Sequence, residues 1–416
     1  MRFGRSWRIP CATRDCNEGS PMNTSDISQP QTRWGVVMII WAAGLGAAAQ
    51  YGKISVIFDQ LEALYPGAGS TLSLTVTMVG VLGILLGVVA GGFVASFGYR
   101  RSLVWALWIG AAMSALQALH LPYGLFLATR LIEGLSHLGI VVAAPTLIPQ
   151  ICSPRHRGTA LSIWSTFFGV SFALLVWFGL PLVAGFGLLS LFGAHALVMA
   201  VLALVLGWVL KTVQVPPRLP LAKMADLPGL HLEIYRSAAK VAPAAGWLFY
   251  TTCFVALLTV LPPHLDRAVR VGVISAMPLV SIATSMTLGV WLLRRMAAVR
   301  VVQAGFLLAA GGALWLLLMP GLPLACMALA VAFGLVQGAS FASVPQLNAE
   351  AAEQAQSNGA MSQAGNMGNA IGTPLMVAAV AVGGYHGMMM LALVLFLGGF
   401  AVHAMLARRR GQTAAI

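Results

Sequence analysis

The chain has 416 residues, of which 59% are hydrophobic and 8% charged, where a soluble domain carries about 25% charged residues. That composition, with a mean hydropathy of +0.87, excludes an ordinary soluble fold and points to helices crossing a membrane. Lys and Arg outnumber Asp and Glu by 13, a balance that would suit nucleic acid only if the basic residues gathered on one face, and they do not.

The first 33 residues form a polar tail with Arg2, Arg5, Arg8, Arg14 and Arg33. The tail lacks the apolar stretch of a secretory signal. Met22 offers a second start directly ahead of the first apolar run, so residues 1–21 are expected to be an optional extension or the product of a misassigned start. Cys11, Cys16, Cys152, Cys253 and Cys326 make no CxxC pair or Cys/His set, and unpaired thiols are expected.

Twelve apolar runs follow, at 34–58, 72–95, 102–120, 123–148, 159–181, 188–210, 243–262, 271–293, 299–319, 322–345, 359–382 and 387–407. At 1.5 Å per residue each spans about 30 Å of hydrocarbon. The Pro-rich stretch 211–241 separates six runs (34–210) from six more (242–407), and 408–416 is a basic tail. With the N-terminus inside, all basic residues except Lys53, Arg130, Arg267 and Arg270 fall in inside segments. Both termini are therefore expected on the cytoplasmic side of the inner membrane.

In the first run, Gly46, Gln50 and Lys53 share a helix face. Lys53 lies about 28 Å along the helix from Trp34. It reads either as a snorkelling lysine or as a cation at the mouth of an outward-facing cavity. The second is preferred, because an outer lysine runs against the inside bias and the Gly/Ala stretch before it permits close helix approach.

The fourth run carries Arg130, Glu133 and His137 at i, i+3 and i+7, within an arc of about 100°. Ionisable groups in hydrocarbon cost several kcal/mol and mark function by default. The bland alternative is an ion pair that only neutralises itself. The tenth run echoes this one, Gly334-Leu-Val-Gln337-Gly338 against Arg130-Leu-Ile-Glu133-Gly134, so the halves read as repeats around a shared site. In the eleventh, Asn358, Ser362, Asn366, Asn369 and Thr373 form a stripe within about 80°. Such a row suits a substrate-cavity wall better than interhelical glue, which needs only one or two amides.

Between the second and third runs stands Gly91-Gly-Phe-Val-Ala95-Ser96-Phe-Gly98-Tyr-Arg100-Arg101. Together with the six-plus-six layout and the Arg130-Leu-Ile-Glu133-Gly134 segment, it makes residues 34–407 resemble the major facilitator superfamily. The family's loop is Gly-x-x-x-Asp-Arg-x-Gly-Arg-Arg, matched at Gly91, Gly98 and Arg100 and broken at Ala95 and Ser96. Its fourth-span motif is Arg-x-x-Gln-Gly, with Glu133 here in place of Gln.

The resemblance implies an all-α membrane protein of twelve transmembrane helices in two six-helix pseudo-symmetric bundles. It implies a secondary active transporter that moves a small polar or anionic solute by alternating access, with spans 1, 4, 7 and 10 around the cavity. On that reading Lys53, Gln50, Arg130, Gln337, Asn366 and Asn369 bind the solute. Glu133 and His137 couple it to protons, and Gly91, Gly98, Arg100 and Arg101 form a gating loop. A proton-coupled drug or metabolite exporter and a non-transporting receptor or scaffold are the alternatives. No nucleotide loop, HExxH, serine elbow or metal set occurs. No enzymatic activity, cofactor or metal is expected, and the partners are a small-molecule solute, protons and the lipid bilayer around a monomer.

Overall fold

The computed structural model describes residues 31–220 and 226–413. The readings on residues 1–21, Cys11, Cys16 and Lys223 lie outside the described residues. All regular structure in the described residues is helical. In chain order we label α1 (Trp34–Val56), α2 (Leu74–Phe97), α3 (Tyr99–Gln117), α4 (Tyr123–Leu147), α5 (Pro154–Phe186), α6 (Leu189–Val209), α7 (Val241–Val260), α8 (Arg267–Leu293), α9 (Ala298–Leu318) and α10 (Pro323–Leu347). The last segment, Ala351–Thr413, breaks at Gly384 (φ 59°, ψ −148°), and its two arms are α11 and α12.

Ten segments among the described residues are long and apolar enough to cross a bilayer, where the sequence predicts twelve. Two features account for the difference. The helix α3 opens on Arg100 and Arg101 and carries Ser102, Ser114 and Gln117, which lower its hydropathy. The arms α11 and α12 count once, because a single glycine joins them without a loop. Other boundaries shift as well. The helix α11 starts at Ala351, ahead of the expected 359, and the Pro-rich linker holds a helix, Leu227–Arg236.

Local chemistry sets the helix ends. Gly98 joins α2 to α3 at φ 101°, a backbone conformation that costs a side-chain-bearing residue energy. Asp266 caps α8 by accepting the Ala268 N–H at 2.8 Å.

In the first half, α1 packs on α4, α5 and α6, α2 on α4, and α3 between α4 and α6. In the second, α7 and α9 pack on the α11–α12 segment, and α10 packs on α8 and α9. Across the halves, α2 meets α11 and α5 meets α8 and α10. Gly87 faces Gly359 backbone to backbone, and Gly91 sits on the Ala355 backbone. Hydrogen bonds run along the same seam, near the helix ends that adjoin the described termini. Asn358 Nδ2 donates to Thr146 Oγ1 at 3.0 Å and Gln150 Nε2 to Gln354 Oε1 at 3.2 Å, and deeper in the seam the Ser165 and Ser285 hydroxyls pair at 3.3 Å. Farther along α11, Asn369, Ala370 and Ile371 are exposed. The seam is therefore closed at the terminus-side end.

The linker lies on this closed end. The Leu219 N–H donates to the Ala95 carbonyl at 3.2 Å, and the Ser96 hydroxyl to the Pro220 carbonyl at 3.0 Å. From the linker helix, Tyr235 donates its hydroxyl to Gln363 Oε1 at 2.6 Å, and Ile234 is fully buried.

Because a side chain at position 359 would meet the Gly87 carbonyl with no room to yield, Gly359→Val should pry α2 from α11. The check is maleimide labelling of Ala355→Cys, a site buried in the intact seam, in a background without other cysteines. Labelling should accelerate at least about tenfold, which corresponds to 1.4 kcal/mol of destabilised closure.

Candidate functional site

Inside the first half, three charged side chains form one sealed network. Lys53, Arg130 and Glu133 have no exposed surface. Glu133 Oε1 accepts from Lys53 Nζ at 2.7 Å, and its Oε2 pairs with Arg130 Nη1. Gln117 Nε2 adds a bond to Oε2 at 3.0 Å. Lys53 also donates to Ser114 Oγ at 2.6 Å and Gln117 Oε1 at 2.8 Å. Arg130 spends its remaining donors on main-chain carbonyls, Nε on Thr75 at 2.7 Å and Nη2 on Gln50 at 2.6 Å. One carboxylate thus holds two cations, and every charged nitrogen has at least one acceptor, the condition on which such groups survive burial.

Four helices supply side chains to the network, and α2 adds the Thr75 carbonyl. The residues Arg130 and Glu133 sit one turn apart on α4, whose apolar flanks seat them between α2 and α3. Lys53 comes from α1. The sequence placed it at an outer mouth with its ammonium in water, and the structure corrects this. The far end of α1 is covered by the rest of the bundle, so the ammonium turns inward and lies 5.3 Å from the centre of the Phe192 ring.

The helix α6 contributes His195, which the sequence reading missed. His195 Nε2 lies 3.0 Å from the Gly46 carbonyl, which can only accept, so Nε2 carries the proton. Nδ1 then faces the Ser114 hydroxyl at 2.7 Å and Lys53 Nζ at 3.4 Å as an acceptor. The available signal was slight: His195 is the lone ionisable residue in the apolar run Leu189–Val209. Ser114 and Gln117 were missed because a hydroxyl and an amide on α3 look like ordinary interhelical bonds until their partners are known.

The other expected residues separate. His137 shares the α4 face with Glu133, but its Nδ1 bonds the Ala47 carbonyl at 3.0 Å and its ring stands edge-on to Tyr51 at 5.0 Å. No bond among the described residues joins it to the carboxylate. Gln50 Nε2 donates to Ser136 Oγ at 2.7 Å, while its buried Oε1 has no partner.

In the second half, Gln337 bridges the seam. Its Nε2 donates to the Ser165 carbonyl, and its Oε1 accepts from Tyr250 at 3.2 Å and Ser281 at 3.4 Å. Asn366 Oδ1 accepts from Tyr51 at 2.7 Å, tying α11 to α1, while Asn369 is exposed. In the expected gating loop, Gly91 lies against α11 and Gly98 makes the turn. Arg100 Nη2 donates to the Gly207 carbonyl at 2.8 Å, near the end of α6, and Arg101 is exposed.

A membrane protein of packed helices, with two halves meeting at a polar seam and a fully buried charge network in one of them, has the design of a secondary transporter. The Major Facilitator Superfamily profile matches residues 34–362, and the chain belongs to that family. Solved structures agree on the fold. FucP, the E. coli fucose:proton symporter, in its outward conformation gives a TM-score of 0.70 at 15% identity, covering 89% of this chain and 98% of that one. The proton:xylose symporter XylE bound to 6-bromo-6-deoxy-D-glucose gives 0.70 at 12%, covering 90% and 95%. The human organic anion transporter MFSD10 (TETRAN) gives 0.66 at 18%, covering 88% and 98%. No curated protein matches the sequence at a significant level. The chain is thus an integral, all-helical membrane protein with pseudo-symmetric bundles, a secondary transporter and not an enzyme.

The network predicts an order of stabilities. Glu133→Gln strands two buried cations and should cost about 3–5 kcal/mol. Lys53→Met leaves the Arg130–Glu133 pair balanced and should cost far less. Adding Lys53→Met to Glu133→Gln should recover part of the loss. Thermal unfolding of the three purified variants checks the order.

Proposed function

We propose that this transporter moves a small polar or anionic solute in step with protons, and that Glu133 is the coupling carboxylate. The observation that carries the reading is that Glu133 alone neutralises cations from two helices, Lys53 on α1 and Arg130 on α4. A proton on Glu133 weakens both ion pairs at once, so proton occupancy and the position of α1 against α4 are linked. That linkage is what alternating access between two bundles needs from a coupling site. The proton symporters FucP and XylE, on the same fold, lend this reading support.

The solute class follows from charge. Two cations against one carboxylate leave the buried network with formal charge +1 in a low-dielectric interior, a field that favours an anion or a strongly polar solute. Lys53 and Arg130, being sealed, act through that field. Direct contact falls to the amides Asn366, Asn369 and Gln337, while Gln50, buried against Ser136 inside the first half, serves the solute only through the Arg130 donor that its carbonyl accepts. His195, reached from Glu133 through Lys53 and Ser114, is a second place for a proton within the network, and His137 on α4 is a third, outside it.

We further propose twelve spans in two bundles of six, 34–210 and 242–407, counting α3 and both arms around Gly384. Both termini lie in the cytoplasm, as the Lys and Arg of the connecting segments favour. The whole solute path lies within one chain, so a monomer suffices.

The test uses proteoliposomes and a panel of organic acids, sugars and cationic dyes under an imposed pH gradient. An accepted solute should accumulate uphill with the wild type. Glu133→Gln should lose the accumulation yet retain solute exchange at equal pH. Unchanged pH-driven accumulation in Glu133→Gln would remove Glu133 from the coupling.

A further inference from the structure

A second concentration of positive charge plays no part in the transport reading. At the terminus-side end of the seam, a cavity of about 520 Å³ opens between the start of α5 and the ends of α8 and α10. Arg155, Arg157 and Thr159 line it from the first half, Arg294 and Gln346 from the second. No Asp or Glu is among the lining residues.

The ion pairs among the described residues are Lys53–Glu133, Arg130–Glu133 and Lys240–Glu233, so none of these three guanidiniums has a carboxylate there. Arg157 Nε reaches the Pro149 carbonyl at 3.1 Å and has donors to spare. Thr159 Oγ1 is a buried hydroxyl without a partner. The helical stretch Arg157–Ser165 begins at the same wall, so its first-turn N–H groups add positive potential.

Closing the seam brings Arg155 and Arg157 toward Arg294 with no carboxylate to offset the repulsion. An anion bound among them converts a repulsive contact into a bridge between the halves. Guanidinium forks suit a tetrahedral oxyanion. Three of them exceed what one carboxylate can neutralise, and a phosphate offers more acceptor oxygens. We propose that this cavity binds a phosphate group, either free or as the headgroup of an anionic lipid, and that the bound group holds the terminus-side end of the transporter shut. The site is independent of the solute and of Glu133.

The experiment takes the purified full chain in uncharged detergent, with potassium phosphate against potassium chloride at equal ionic strength. It is repeated in phosphatidylcholine vesicles with and without phosphatidylglycerol. The readouts are Tm and the maleimide labelling rate of Ala355→Cys, which reports seam opening away from the cavity. Phosphate should raise Tm by several degrees and slow labelling severalfold, and Arg157→Gln and Arg294→Gln should each abolish both effects. A response to phosphate assigns a free-anion site. A response to phosphatidylglycerol alone assigns a headgroup site. No response to either, or an equal response in both glutamine variants, overturns the proposal. Arg155→Gln replaces either variant if its own Tm in chloride is already depressed.

Discussion

The first half of the molecule is organised around a carboxylate that must satisfy two cations where no water reaches. In hydrocarbon an unpaired charge is costly enough to displace a helix, so Lys53, Arg130 and Glu133 fix one another's helices as well as their own charge. The arrangement also explains the neutral groups nearby. Gln117 and Ser114 complete the Lys53 and Glu133 coordination, and the Thr75 and Gln50 carbonyls take the Arg130 donors that the carboxylate cannot reach. A sealed network of this kind balances its charges in one protonation state, and a proton added to Glu133 would upset both ion pairs at once.

The two halves divide the labour unevenly. The first stores charge, while the second offers amides and hydroxyls. Gln337, at the repeat position of Glu133, shows the difference: where the glutamate turns inward to cations, the glutamine reaches out across the seam to the Ser165 main chain. Asn366 does the same toward Tyr51. The groups that join the halves are therefore neutral and exchangeable for water or solute, as a contact that must break in every cycle requires.

Much of this was legible in the sequence, because hydropathy and helical periodicity act locally. Most of the spans and the shared face of Arg130 and Glu133 follow from residues a few positions apart. What failed was long-range. The partners of Lys53 lie 61 to 142 positions away, and no local pattern announces that α3, α4 and α6 will close over its ammonium. His195 was hidden for the same reason, a single imidazole whose meaning depends on Ser114 and Gly46. The His137 face was read correctly as a direction, but the Ala47 carbonyl of α1 takes its ring nitrogen, and periodicity on α4 cannot show that.

The linker gives the fold one more property. Its grip on the α2–α3 turn runs through the Ala95 and Pro220 carbonyls, the Leu219 N–H and one serine hydroxyl, and its helix goes on to touch Gln363 on α11. The strap from one half to the other is thus also a brace across them, made largely of main chain. If the gene were divided and the two bundles expressed as separate polypeptides, the choice of breakpoint would matter. A cut ahead of Arg218 leaves the brace whole on the second fragment, whereas a cut after Arg236 removes it from the bundle it steadies.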